Sequence, residues 1–139
     1  MSKRKEISTA LLGVVVALVL WVTILSRETL VGTPISYLPF HALGSFLKEL
    51  RRGIVDANFL GNIILFMPFS FLLSMASEWE RLWKVASIGI GFSLLIEVIQ
   101  FLTRRGCFDP DDVLLNAVGT MIGFGLYSAI RKLFTKNDL

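Results

Sequence analysis

Four stretches of 18 to 20 residues dominate this 139-residue chain, and together they carry a single charge. They are residues 7–25, 57–76, 85–102 and 113–130, and the one charged residue among them is Glu97. At ~1.5 Å of rise per residue, a helix of that length extends ~27–30 Å, the thickness of a hydrocarbon core. Strands are excluded as spanning elements, because an unclosed sheet would leave backbone groups unpaired in lipid. Composition agrees: 54% of residues are hydrophobic, 18% are charged, and the mean hydropathy is +0.68. A soluble domain of this size needs a polar coat, which so few charges gathered in short runs cannot supply. Disorder is excluded too, since disordered chains are poor in apolar residues. The prediction is an all-α membrane protein with four transmembrane helices, folded as a single domain over residues 1–139.

The first stretch follows Lys3, Arg4 and Lys5, as the apolar region of a signal peptide would. It is too long for that role, and Thr23-Ile24-Leu25-Ser26-Arg27 lacks the small-residue pattern of a cleavage site. An uncleaved helix is expected. One cysteine, Cys107, excludes a disulfide framework and multi-cysteine metal sites, and the lone His41 excludes a two-histidine centre. No sequence signature asks for a cofactor or a metal. The net charge of +3 reads as loop charge that sets orientation, and nucleic acid is not an expected partner.

The connections are unequal. Residues 77–84 and 103–112 are short, so spans two, three and four are expected to cluster antiparallel. Residues 26–56 form a 31-residue connection that requires an explanation. Within it Phe40, Leu43, Phe46, Leu47 and Leu50 recur at helical spacing opposite Lys48, Glu49, Arg51 and Arg52. This predicts an amphipathic helix, lying in the interface or capping the bundle. With the N-terminus inside, inner segments hold 8 Lys/Arg in 23 residues and outer ones 6 in 41. That density favours both termini in the cytoplasm and an extracytoplasmic long connection.

The polar residues of the spans converge. A carboxyl group deep in a spanning helix costs up to ~2.5–3.5 kcal/mol on insertion scales, which makes Glu97 a functional candidate. Ser93, Glu97, Gln100 and Arg104 lie on one face of span three; Asn58 and Asn62 are four apart on span two; Asn116, Thr120 and Gly123 repeat the spacing on span four. Asn62 and Glu97 stand five residues below the outer ends of their spans and Asn116 three, all within ~8 Å of one surface. Above them runs Arg104-Arg105-Gly106-Cys107-Phe108-Asp109-Pro110-Asp111-Asp112. Asp109, Pro110 and the two acids that follow make a good helix start. The alternative is that Asp109, Asp111 or Asp112 pairs Arg105 or holds a divalent cation. The candidate pocket is therefore Asn58, Asn62, Glu97, Gln100, Arg104, Arg105, Asp109, Asp111, Asp112 and Asn116. Gly119 and Gly123 form a G-x-x-x-G, a helix-packing device that also serves some dimers.

The segments Asn62–Pro68 (N-x-x-x-F-x-P), Glu97–Gln100 (E-x-x-Q) and Arg105–Gly119 (R…D-x-D-D…N-x-x-G) resemble the VanZ-like family. The resemblance runs from about Asn58 to Phe124, with Ser70 standing where the family usually has glycine. It implies a multi-span protein of the bacterial plasma membrane, in a family whose founding member is associated with low-level teicoplanin resistance. Three readings follow. The outer pocket binds or modifies a lipid-linked cell-wall component or a lipoglycopeptide. Alternatively, the protein is an intramembrane enzyme with Glu97 as general acid or base and Arg105 holding an anionic group. In the third, the cluster is a hydrogen-bond network that only holds three helices of a structural or accessory subunit together. No nucleophile-elbow, Walker or zinc-protease motif lifts the enzyme reading.

Overall fold

The structure is a computed structural model that describes residues 3–25, 57–105 and 108–136, with Gly44, Lys48 and Arg51 as single positions between. Helix α1 is Lys3–Leu20 and runs on into a π-helical turn, Trp21–Leu25. Helices α2, α3 and α4 are Ala57–Ser77, Leu82–Thr103 and Pro110–Lys136. All four are long and apolar enough to cross a membrane, as the uncharged stretches predict. Each overruns its stretch at one or both ends, because charged side chains at a helix end reach the interface without breaking the backbone ladder. The predicted amphipathic helix of residues 40–50 lies outside the described residues, apart from Gly44 and Lys48; so do Gly106 and Cys107.

The burial pattern is that of a protein solvated by lipid. Large apolar side chains point outward: Val14, Ile64, Leu95, Leu102 and Phe134 are all exposed. The interior instead holds small polar groups, with Ser8, Ser70, Ser74, Ser93 and Thr120 fully buried. The hydroxyls of Ser8, Ser70, Ser74 and Thr120 return to the backbone one turn earlier, as in Ser74 Oγ to the Ser70 carbonyl at 2.7 Å, so these donors are not stranded. An apolar core remains where α1, α2 and α3 meet. Phe66, Phe69 and Phe92 pack with ring centroids 5.0–5.9 Å apart, beside Val19, Ile24 and Ile96.

The closest helix pair is α2 with α4, and Gly119 and Gly123 are the reason. A Cβ on Gly119 would stand 2.4 Å from the Ile63 carbonyl oxygen, and one on Gly123 would stand 2.1 Å from that of Met67. Only glycine lets the two backbones come this near. The predicted antiparallel cluster of spans two to four forms through α4, which packs on both α2 and α3, while those sequence neighbours touch little. α1 packs on α2, and its π turn meets α3. This up-and-down order gathers the C-terminal ends of α1 and α3 and the N-terminal ends of α2 and α4 at one end of the bundle.

Candidate functional site

At that end, α4 starts where the sequence places its cap. Asp109 Oδ1 accepts the Asp111 N–H at 2.9 Å, and the Asp109 carbonyl accepts the Asp112 N–H at 3.2 Å. Pro110 occupies the first helical position, whose N–H would have no intrahelical partner. The remaining backbone donor of the cap is used differently: the Asp109 N–H donates to Glu97 Oε2 at 2.8 Å. Glu97, 1% exposed, therefore lies against the N-terminal end of α4, where the helix dipole presents partial positive charge.

The other predicted residues divide into pairs that tie helix to helix. Asn62 Nδ2 on α2 donates to Asp112 Oδ1 on α4. Asn116 Nδ2 on α4 donates to Ser93 Oγ on α3 at 2.8 Å, and its carbonyl accepts the Thr120 hydroxyl. Gln100 Nε2 on α3 reaches the Thr23 carbonyl at the end of α1, at 2.7 Å. Arg105 Nη1 donates to the Leu25 carbonyl at 3.3 Å. The last carbonyls of a helix have no partner of their own, so Gln100 and Arg105 together cap α1, the arginine also complementing its dipole.

Asn62, Glu97, Gln100, Asp109, Asp111, Asp112 and Asn116 thus gather at one end, and all but Asp109 and Asp112 are buried. Arg104 departs from the expected polar face. Its backbone is left-handed (φ 54°, ψ 31°), which ends α3 and turns its exposed side chain off the line of Ser93, Glu97 and Gln100. Arg105 meets a main-chain carbonyl where a pairing with an aspartate was one alternative. The side chain of Asn58 lies outside the described residues. Among the described residues no three His, Cys, Asp or Glu side chains converge as metal ligands. The contribution of α1 was not foreseen, because a carbonyl such as that of Thr23 exists at every residue and leaves no mark in sequence. Two buried acceptors stand out: Gln100 Oε1 and Asn116 Oδ1 have no hydrogen-bond partner among the described residues.

The sequence model of the VanZ/LLP1 family matches residues 9–132. The chain belongs to this family. The VanZ/LLP1 match takes in α1 from residue 9 and its π turn as well as the three motifs, so the helix end that Gln100 and Arg105 cap belongs to the family domain. The chain is similar to Protein VanZ of Enterococcus faecium, with 29% identity over 143 residues, covering 97% of this chain and 82% of that protein. No solved structure matches.

Proposed function

We propose that this VanZ/LLP1 protein acts in the bacterial plasma membrane with both termini cytoplasmic. Its polar end faces outward and binds a lipid-linked cell-wall component or a lipoglycopeptide, in a teicoplanin-resistance role. The observation that carries this reading is a pair of buried oxygens with no partner among the described residues: Gln100 Oε1, one turn beyond Glu97 on α3, and Asn116 Oδ1 of α4, whose amide donates to Ser93 one turn before Glu97. A network kept only to join helices satisfies its buried acceptors, since each one left unmade costs ~1–3 kcal/mol. This column of acceptors suits a ligand that brings donors, such as the hydroxyl and amide groups of glycopeptides and cell-wall precursors.

A second reading, the accessory subunit with a purely structural cluster, draws on the pairs Asn62–Asp112, Asn116–Ser93 and Gln100–Thr23. One experiment separates the two. Cells expressing Glu97→Gln, which keeps hydrogen bonding and removes the charge, are compared with wild type for teicoplanin susceptibility and protein abundance. The site reading expects the phenotype to be lost at unchanged abundance. Arg105→Lys, which keeps the charge and loses the planar fork, should weaken it as well. Full function in both variants, with Glu97→Leu lowering abundance and function together, would leave the structural reading standing.

A further inference from the structure

The opposite end of the bundle holds a cleft that the proposed function does not use. It has a volume of about 240 Å³ and is lined by Arg4 and Lys5 of α1, Met75 of α2, Glu78 and Glu80 in the turn after it, and Tyr127 and Arg131 of α4. Three cations face two acids, so the lining carries a formal charge of +1, the charge one phosphodiester would neutralise. Arg131 pairs with Glu80, but both side chains are well exposed, at 42% and 66%. An ion pair in that setting adds at most ~1 kcal/mol of stability and exchanges readily for a better anion. Arg4 is exposed and makes no ion pair among the described residues. Tyr127, 5% exposed, brings a hydroxyl beside Arg131.

The depth of the cleft points to its occupant. The connection that supplies Glu78 and Glu80 also carries Trp79, with Trp83 at the start of α3, and Lys84 Nζ stands 5.8 Å from both rings. Tryptophans with exposed rings beside lysine mark the headgroup level of a bilayer, and Trp83 is 62% exposed. The volume falls below the ~300–1,000 Å³ of pockets that enclose a drug-sized ligand; it suits a headgroup whose acyl chains stay in the bilayer. Basic pockets between spanning helices are known lipid-headgroup sites on physical grounds. Glu78, held in the left-handed region at φ 56°, can accept from hydroxyl or ammonium groups beside the phosphate.

We propose that this cleft is a site for the phosphodiester of an anionic phospholipid, held by Arg4, Lys5, Arg131 and Tyr127. It does not depend on the function of the other end.

The test uses the full-length chain with Trp21→Phe, so that emission reports Trp79 and Trp83, in phosphatidylcholine vesicles. Acyl-brominated phosphatidylglycerol is added as a minor component, and quenching measures its enrichment at the protein. Enrichment should be displaced by unlabelled phosphatidylglycerol and resist millimolar inorganic phosphate. Arg4→Gln with Arg131→Gln removes two charge-assisted contacts to the phosphate and should lower enrichment by at least about tenfold. Lys132→Gln, outside the lining, should leave it near wild type. Glu80→Gln, which removes the charge that competes for Arg131, should raise it by about twofold to fivefold, a gain that misfolding cannot mimic. Displacement by inorganic phosphate, but not by an equal ionic strength of chloride, would assign the site to a soluble phosphate compound and overturn the lipid. An equal loss in Lys132→Gln would show diffuse attraction, and no gain in Glu80→Gln would show that Arg131 does not meet the lipid; either result would overturn the site.

Discussion

Asn62 and Asp112 are 50 residues apart, and their contact shows what a polar side chain is for inside lipid. Each would cost free energy facing acyl chains; together they fix the entry of α2 against the first turn of α4. Interhelical hydrogen bonds in membranes average ~0.6 kcal/mol and reach ~1.7. The carboxyl acceptor and the partly buried setting place this one in the upper half of that range. A double-mutant cycle of Asn62→Ala and Asp112→Ala, read by thermal unfolding in detergent, should return a coupling of about 1–1.7 kcal/mol. A coupling near zero would mean that the pair is incidental. At this scale the candidate site was legible wherever a polar residue interrupts an apolar stretch, as Asn62, Glu97, Gln100 and Asn116 do. It was not legible at Arg104, where a left-handed backbone alters a facing that regular helix geometry predicts. Nor could it show Thr23 and Leu25, which take part through carbonyls.

Among the elements, the spans followed from length and hydropathy, and the start of α4 from the Asp-Pro-Asp-Asp sequence. What periodicity did not reveal is which helix lies against which. The G-x-x-x-G of α4 announces a close partner without naming it, and the partner is α2, whose carbonyls at Ile63 and Met67 fill the space beside the glycines. Gly123→Ala would bring its Cβ against the Met67 backbone and Ser70 Oγ. The hydroxyl can rotate away but the carbonyl cannot, so the helices must separate, at about 1–3 kcal/mol. Gly91→Ala on α3 meets nothing within 4 Å and removes a flexible residue from a helix, which should be neutral or stabilising by up to about 1 kcal/mol. Melting of the two variants in one detergent checks this: a fall for Gly123→Ala with no fall for Gly91→Ala is expected. The π turn Trp21–Leu25 also escaped the sequence, since it differs from an α-helix by one hydrogen-bond register and not by composition.

Across the whole molecule, the two ends of the bundle differ in kind. One holds amides and carboxylates drawn inward from three helices, with two buried acceptors that have no partner among the described residues. The other holds surface cations and tryptophans around a shallow cleft. The orientation proposed above rests on cationic density alone, 8 Lys/Arg in 23 residues against 6 in 41, and would put the amide-rich end outside. The envelope role stands on that orientation, and Arg104, exposed where α3 ends, offers a direct reporter of it. The measurement is labelling of Arg104→Cys, in a Cys107→Ser background, with a membrane-impermeant maleimide before and after permeabilising the cells. Equal labelling in intact and permeabilised cells is the result expected of a pocket that opens outward; labelling only after permeabilisation would turn the pocket to the cytoplasm and contradict the envelope role.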